Sequence, residues 1–150
     1  MSDKDHYWMQ RALELARNAE ANGEVPVGAV IVLDDRIIGE GWNQPIAGQD
    51  ATAHAEIMAL RQACQTMQNY RLPGADIYIT LEPCLMCAGA LIHARIARCI
   101  YATPEPKTGA AGSCIDAFSL PNINHRVECK TGILQEESSQ LIKQFFKARR

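Results

Sequence analysis

The stretch from Ile77 to Ala102 constrains the fold of this chain more than any other. Ile77 to Leu81 is a short apolar run that predicts a strand, and Arg98 to Ala102 predicts another. Between them an apolar segment opened by Pro83-Cys84 and ending near Ala94 reads as a helix. Pro83 biases Glu82 away from helical dihedrals, which makes the strand-to-helix boundary sharp. So short a strand–helix–strand segment is a βαβ unit, and its two strands are expected to be parallel.

That helix opens on Cys84-Leu85-Met86-Cys87, which places residues 84 and 87 on one face of a first turn. The positive end of a helix favours thiolate, the form that binds metal. A lone C-x-x-C fits a redox pair, half of a structural zinc site or part of a catalytic one, so the rest of the chain has to decide.

Upstream, Asp3 or Asp5 can cap a helix to about Asn22, with Met9, Ala12, Leu13, Ala16 and Ala19 at helical spacing. Val27 to Leu33 is continuously apolar, as in a strand covered on both faces. Asp34-Asp35 turns it into a second strand from Arg36 to Trp42, and residues 41–50 read as a loop. A helix from Thr52 or Ala53 to about Asn69 follows, with Ile57, Leu60, Cys64 and Met67 on its apolar side. Downstream come a Pro/Gly-rich loop from Pro104 to Ser113, a short helical turn, a fifth strand near Val127 to Cys129 and a helix from Gln135 to Arg150. Together these predict one α/β domain over residues 1–150: a three-layer α/β/α arrangement around a five-stranded mixed sheet.

Composition excludes several classes. No apolar run nears the roughly 18 residues of a membrane span. The start of the chain is polar and carries no signal-like apolar region, so a cytoplasmic protein with reduced cysteines is expected. The net charge of −2 hides an asymmetry: residues 1–60 hold 4 Lys/Arg against 10 Asp/Glu, residues 126–150 hold 6 against 3. A basic end on an acidic body suits an anionic ligand, and equally a solvated helix terminus.

Of the four histidines, His54 stands out. It opens a helix in Thr52-Ala53-His54-Ala55-Glu56, and a His-x-Glu pair upstream of Pro-Cys-x-x-Cys supplies what the cysteines lack. A catalytic zinc takes three protein ligands and leaves one position open. His54, Cys84 and Cys87 fill that set. Two thiolates offset the charge of the ion, so a bound water is acidified less and needs a base nearby. Glu56 fits that base. Residues i and i+2 of a helix diverge, so both can serve one site only at a helix mouth. Cys64, Cys99, Cys114 and Cys129 have no ligand spacing and read as structural thiols.

His-Ala-Glu followed by Pro-Cys-x-x-Cys resembles the zinc-deaminase signature. Pro26-Val27-Gly28-Ala29-Val30, Gly41-Trp42-Asn43, Leu81 to Ala90, Lys107 to Ser113, Asn124-His125-Arg126-Val127-Glu128 and Phe145-Phe146 extend the likeness along nearly the whole chain. The family resembled is that of the bacterial tRNA-specific adenosine deaminases, within the cytidine/deoxycytidylate deaminases. The resemblance implies a cytidine-deaminase-like fold, one Zn2+ per subunit, a homodimer, and conversion of the wobble adenosine of a tRNA anticodon stem-loop to inosine with release of ammonia. It further implies that Asn43 contacts the flipped base, with Val27 and Ala55 lining its pocket. Asn124 and Phe145 would meet flanking nucleotides, and Lys107 a phosphate or a neighbouring loop. Glu105 stands where the family commonly has Asp, the position of a ribose contact. Two other readings share the motif: a deaminase of a free nucleobase or nucleotide, and a non-catalytic zinc module with a fourth ligand from His93 or His125.

Overall fold

The computed structural model describes residues 3–149. Five strands, β1 (Gly28–Leu33), β2 (Arg36–Trp42), β3 (Asp76–Leu81), β4 (Arg98–Thr103) and β5 (Glu128–Thr131), form one sheet in the order β2-β1-β3-β4-β5. β1 pairs antiparallel with both β2 and β3, whereas β3, β4 and β5 run parallel. The mixed sheet and the parallel βαβ unit are as the sequence predicts. The hairpin turn at Asp34-Asp35 has positive φ at both residues, 52° and 60°, which matches the right-handed twist of the flanking strands.

Helices cover both faces. α1 (Asp3–Ala21) and α5 (Gln135–Ala148) lie on one side; α3 (Ala55–Met67) and α4 (Leu85–His93) lie on the other. A short α2 (Pro45–Gly48) occupies part of the stretch expected to be loop; its backbone N–H groups at Ile46 and Ala47 donate to the buried Glu24 carboxylate. The alternation of β1 explains the two cores. Ala29 and Ile31 pack with α3 and α4 residues such as Leu60 and Leu91, while Val30 and Val32 pack with Met9, Ala12 and Leu15 of α1. At about 25 cal/mol per Å², each fully buried Ile or Leu contributes roughly 1.5–3 kcal/mol.

Three expectations change. Asp5 is no cap: it is buried inside α1, where it accepts a 2.6 Å hydrogen bond from Tyr78 Oη and faces Arg98. A buried carboxylate needs such partners, and an N-terminal helix packed on the sheet brings them within reach. Met67 is exposed, because α3 buries its small face (Ala55, Ala59 and Ala63) instead. That face meets Gly39 and Gly41 of β2 so closely that an added Cβ at either would lie 2.3 Å from an α3 carbonyl oxygen. Of the four thiols read as structural, Cys64 is half-buried and Cys99 buried, but Cys114 and Cys129 are exposed. The expected end of the last helix at Arg150 lies outside the described residues.

Candidate metal centre and active site

The site forms where α3 and α4 begin. His54 and Cys84 are the N-cap residues of these helices, in extended conformation (φ −72°, ψ 155° and φ −76°, ψ 176°). This answers the geometric problem of His-x-Glu: His54 stands outside the helical screw while Glu56 stands in its first turn. Likewise Cys84 precedes α4 and Cys87 follows within it, so the pair reaches back toward the helix mouth. Asn43 helps to fix the arrangement, since its Oδ1 accepts the Ala55 N–H at 2.9 Å, an α3 donor that no residue of the helix can satisfy.

His54 Nδ1 lies 3.6 Å from Cys84 Sγ and 3.6 Å from Cys87 Sγ. The ligand atoms of the trio all fall within 4.8 Å of one another. Tetrahedral zinc with Zn–N of about 2.1 Å and Zn–S of about 2.3 Å requires N···S of about 3.6 Å. Both spacings match. Two soft thiolates with an imidazole nitrogen are also the donor set that suits zinc. Among the described residues this is the one such cluster, and neither His93 nor His125 joins it. His125 Nε2 is instead 2.7 Å from the Ile96 carbonyl oxygen. The set therefore has three protein ligands, the number that leaves a position for reaction.

Electrostatics distinguish the groups. A hydrogen bond from Cys87 holds the Cys84 thiol down at about 5. The same bond, together with burial, pushes Cys87 well up. Glu56 is buried; that burial, reinforced by the Cys84 thiolate, lifts its carboxyl to about 7. A carboxyl held near neutrality can both take and give a proton.

His54, Glu56 and Cys84 line a cavity of about 150 Å³ together with Val27, Asn43 and Glu105, among others, with Cys87 buried behind them. Pockets for drug-sized ligands start near 300 Å³, so this one suits a single flat heterocycle. Of the other residues expected at the site, Ala55 is buried beneath the helix start and does not line the cavity. Lys107 is exposed on the neighbouring loop, its N–H donating to Glu105 Oε1 at 2.9 Å. Asn124 lines a separate groove along α4. Phe145 is buried on α5, with the Arg149 guanidinium 3.6 Å from its ring centroid.

Sequence reading passed over Glu82. It is buried beside the site, and its carboxylate accepts from the N–H groups of Glu105 (3.0 Å), Ala111 (2.9 Å) and Ser113 (3.1 Å) and from the Ser113 hydroxyl. Burial alone would raise its pKa, but these four bonds outweigh burial and hold it below the usual range. The only signal in the sequence is a charged residue directly after an apolar strand, next to Pro83.

Comparison with known proteins agrees with this geometry. Residues 2–103 match the family model of the cytidine and deoxycytidylate deaminase zinc-binding region. A tRNA-specific adenosine deaminase of Haemophilus influenzae is 53% identical over 99% of this chain and 87% of its own. Another from Agrobacterium fabrum is 45% identical over 100% and 98%. A solved structure from a study of A-to-I editing at the wobble position of transfer RNA superposes with a TM-score of 0.88, at 45% identity over 90% of this chain and 98% of that one. The chain thus belongs to the zinc-binding cytidine and deoxycytidylate deaminases, and among these to the family of tRNA-specific adenosine deaminases.

Proposed function

We propose that this protein hydrolyses the wobble adenosine of a tRNA anticodon to inosine, releasing ammonia. The observation that carries the reading is the juxtaposition of an open His54–Cys84–Cys87 metal set with a buried carboxyl, Glu56, on the floor of a cavity sized for one base. A base must leave its stack to enter such a cavity, and an anticodon loop presents unstacked bases cheaply. The names of the Haemophilus and Agrobacterium relatives support adenosine in tRNA as the substrate.

In this reading His54, Cys84 and Cys87 would hold zinc, which when bound would supply Lewis acidity beside Glu56. Glu56 takes the proton from the attacking water and passes it to ring nitrogen N1 as the C6–O bond forms and the C6=N1 double bond opens. It then carries the new hydroxyl's proton to the exocyclic nitrogen, since amide ion is too poor a leaving group, and the C6–N bond breaks with loss of ammonia as the C6=O of inosine forms. Asn43, its Oδ1 committed to the Ala55 N–H, keeps its amide N–H₂ to donate to the base. Val27 supplies an apolar wall of the cavity and Glu105, also in its wall, meets the ribose, while Ala55 acts only through its backbone N–H, which holds Asn43. Lys107 serves a phosphate and Asn124 a flanking nucleotide, whereas Phe145, expected to meet one, is buried on α5 against Arg149 and has no face free to do so.

The protein acts as a homodimer in the cytoplasm. Leu85, Met86, Ile115 and Leu120 are exposed, and Leu85 and Leu120 flank a groove of about 300 Å³ along α4, an apolar surface suited to a second copy. No helix among the described residues is long and apolar enough to cross a membrane.

Ammonia release from an anticodon stem-loop, assayed beside free adenosine, adenine and guanine, tests the substrate. Sequencing a treated tRNA pool should show A-to-G conversion at the wobble position. Turnover of the free compounds alone would overturn the assignment in favour of a small-molecule deaminase.

A further inference from the structure

The loop of residues 104–113 walls the cavity through Glu105 and Thr108, yet it is a connection without regular structure. Loops of this kind need an anchor if they are to hold a substrate to within an ångström. The anchor is visible beneath it. All four hydrogen bonds accepted by the Glu82 carboxylate come from this loop: Oε1 takes the Glu105 N–H and the Ser113 hydroxyl, Oε2 the N–H groups of Ala111 and Ser113. One carboxylate thus ties both ends of the loop.

A second observation is independent of those bonds. Gly109 packs onto the same carboxylate so tightly that an added Cβ would lie 2.4 Å from Glu82 Cδ and 2.5 Å from the Glu105 carbonyl oxygen. Two further backbone bonds close the loop on its surroundings: Gly109 N–H donates to Glu105 O at 2.8 Å, and Ala110 N–H to Pro83 O at 2.8 Å. The loop is therefore moulded around Glu82, with Glu82 fixed in turn by its place between β3 and the Cys84 helix start.

We propose that Glu82 is a positioning residue that sets substrate affinity by locating Glu105 and Thr108 in the cavity wall. It makes no proton transfer and holds no metal. The proposal rests on the deaminase reading above.

Glu82→Gln separates this role from others. Its amide nitrogen fits only at the Oε1 position, where it can donate to Ser113 Oγ, while the remaining oxygen keeps Ala111 and Ser113. The Glu105 N–H is left facing another donor. In the zinc-loaded full-length protein, amide exchange at Glu105 should then speed up at least about tenfold while Ala111 and Ser113 stay protected. KM for an anticodon stem-loop should rise about tenfold with kcat within about threefold and zinc content unchanged. Gly109→Ala, which leaves the carboxylate itself intact, should give the same KM effect and serves if the Gln variant fails to fold. Unchanged loop protection and KM in both variants would overturn the proposal. So would loss of zinc or a fall in kcat alone, since either would place Glu82 in the metal site or the chemistry. If the wild type does not deaminate the stem-loop, the functional reading fails, and the exchange measurement still judges the anchor.

Discussion

The close seating of α3 on β2 makes the active site unusually sensitive to one methyl group. Gly41→Ala would place Cβ 2.3 Å from the Ala55 carbonyl oxygen and 2.6 Å from the Ala59 amide nitrogen. Ordinary contact begins at 3.4 Å, so α3 must retreat by about 1 Å. Overpacking of this kind costs about 1–3 kcal/mol. The further consequence is local, because Ala55 lies between His54 and Glu56. A shift of about 1 Å exceeds the roughly 0.2 Å tolerance of zinc–ligand distances, while Cys84 and Cys87 remain fixed on α4. Zinc affinity should therefore fall by about tenfold or more, a loss comparable to that of a supporting residue around a metal. Urea unfolding of the metal-free protein gives the packing cost, and competition with a chelator gives the affinity. Gly48→Ala is the control: its nearest contact would be Asp50 Cβ at an unremarkable 3.8 Å. If Gly41→Ala unfolds and binds zinc as the wild type does, the rigid link from β2 through α3 to His54 is wrong.

Glu56→Ala should retain zinc, since all three ligands remain, and lose deamination by at least about a hundredfold; near-normal turnover would remove it from the mechanism. Cys87→Ala should lose metal by elemental analysis, and full occupancy would refute the ligand set. Asp5 tests the far end of the sheet. Burial alone would raise its pKa, but hydrogen bonds from Tyr78 and Arg98 prevail and set it below the ordinary 3.8. A lowered folded value means stability that is complete above the unfolded pKa and lost as pH falls through the folded one. Asp5→Asn should thus lower the melting temperature at neutral pH, by about 1–3 kcal/mol of stability, and the gap should close below pH ~3.8. A gap that stayed constant with pH would refute the pairing.

Elements with a strong local pattern were legible in the sequence. Ile77 to Leu81 and Arg98 to Ala102 form parallel strands, and the fully apolar Val27 to Leu33 run is covered on both faces by the two cores. The metal trio was legible too, because ligand chemistry restricts residue type as well as spacing. What pattern could not reveal depends on partners distant in sequence. Gly39 and Gly41 look like weak points of a strand until Ala55, Ala59 and Ala63 press against them. Asp5 looks like a cap until Tyr78, 73 residues on, claims it. Glu82 looks like a stray charge until the loop of residues 104–113 folds over it. In each case a small or charged residue contradicts its local propensity, and a tertiary contact outweighs that propensity.

The Asp5–Tyr78–Arg98–Asp76 cluster stands at the opposite end of β3 from the chemistry: Asp76 opens that strand, and Leu81 at its other end lines the cavity. Five residue steps at about 3.3 Å put the two ends roughly 17 Å apart. Free-energy effects at such a separation add rather than interfere. Substitutions that improve the cluster can thus compensate, one for one, for destabilising changes around the cavity. A gain at the far end of the sheet can then offset the cost of a change at the cavity without touching the residues that hold it.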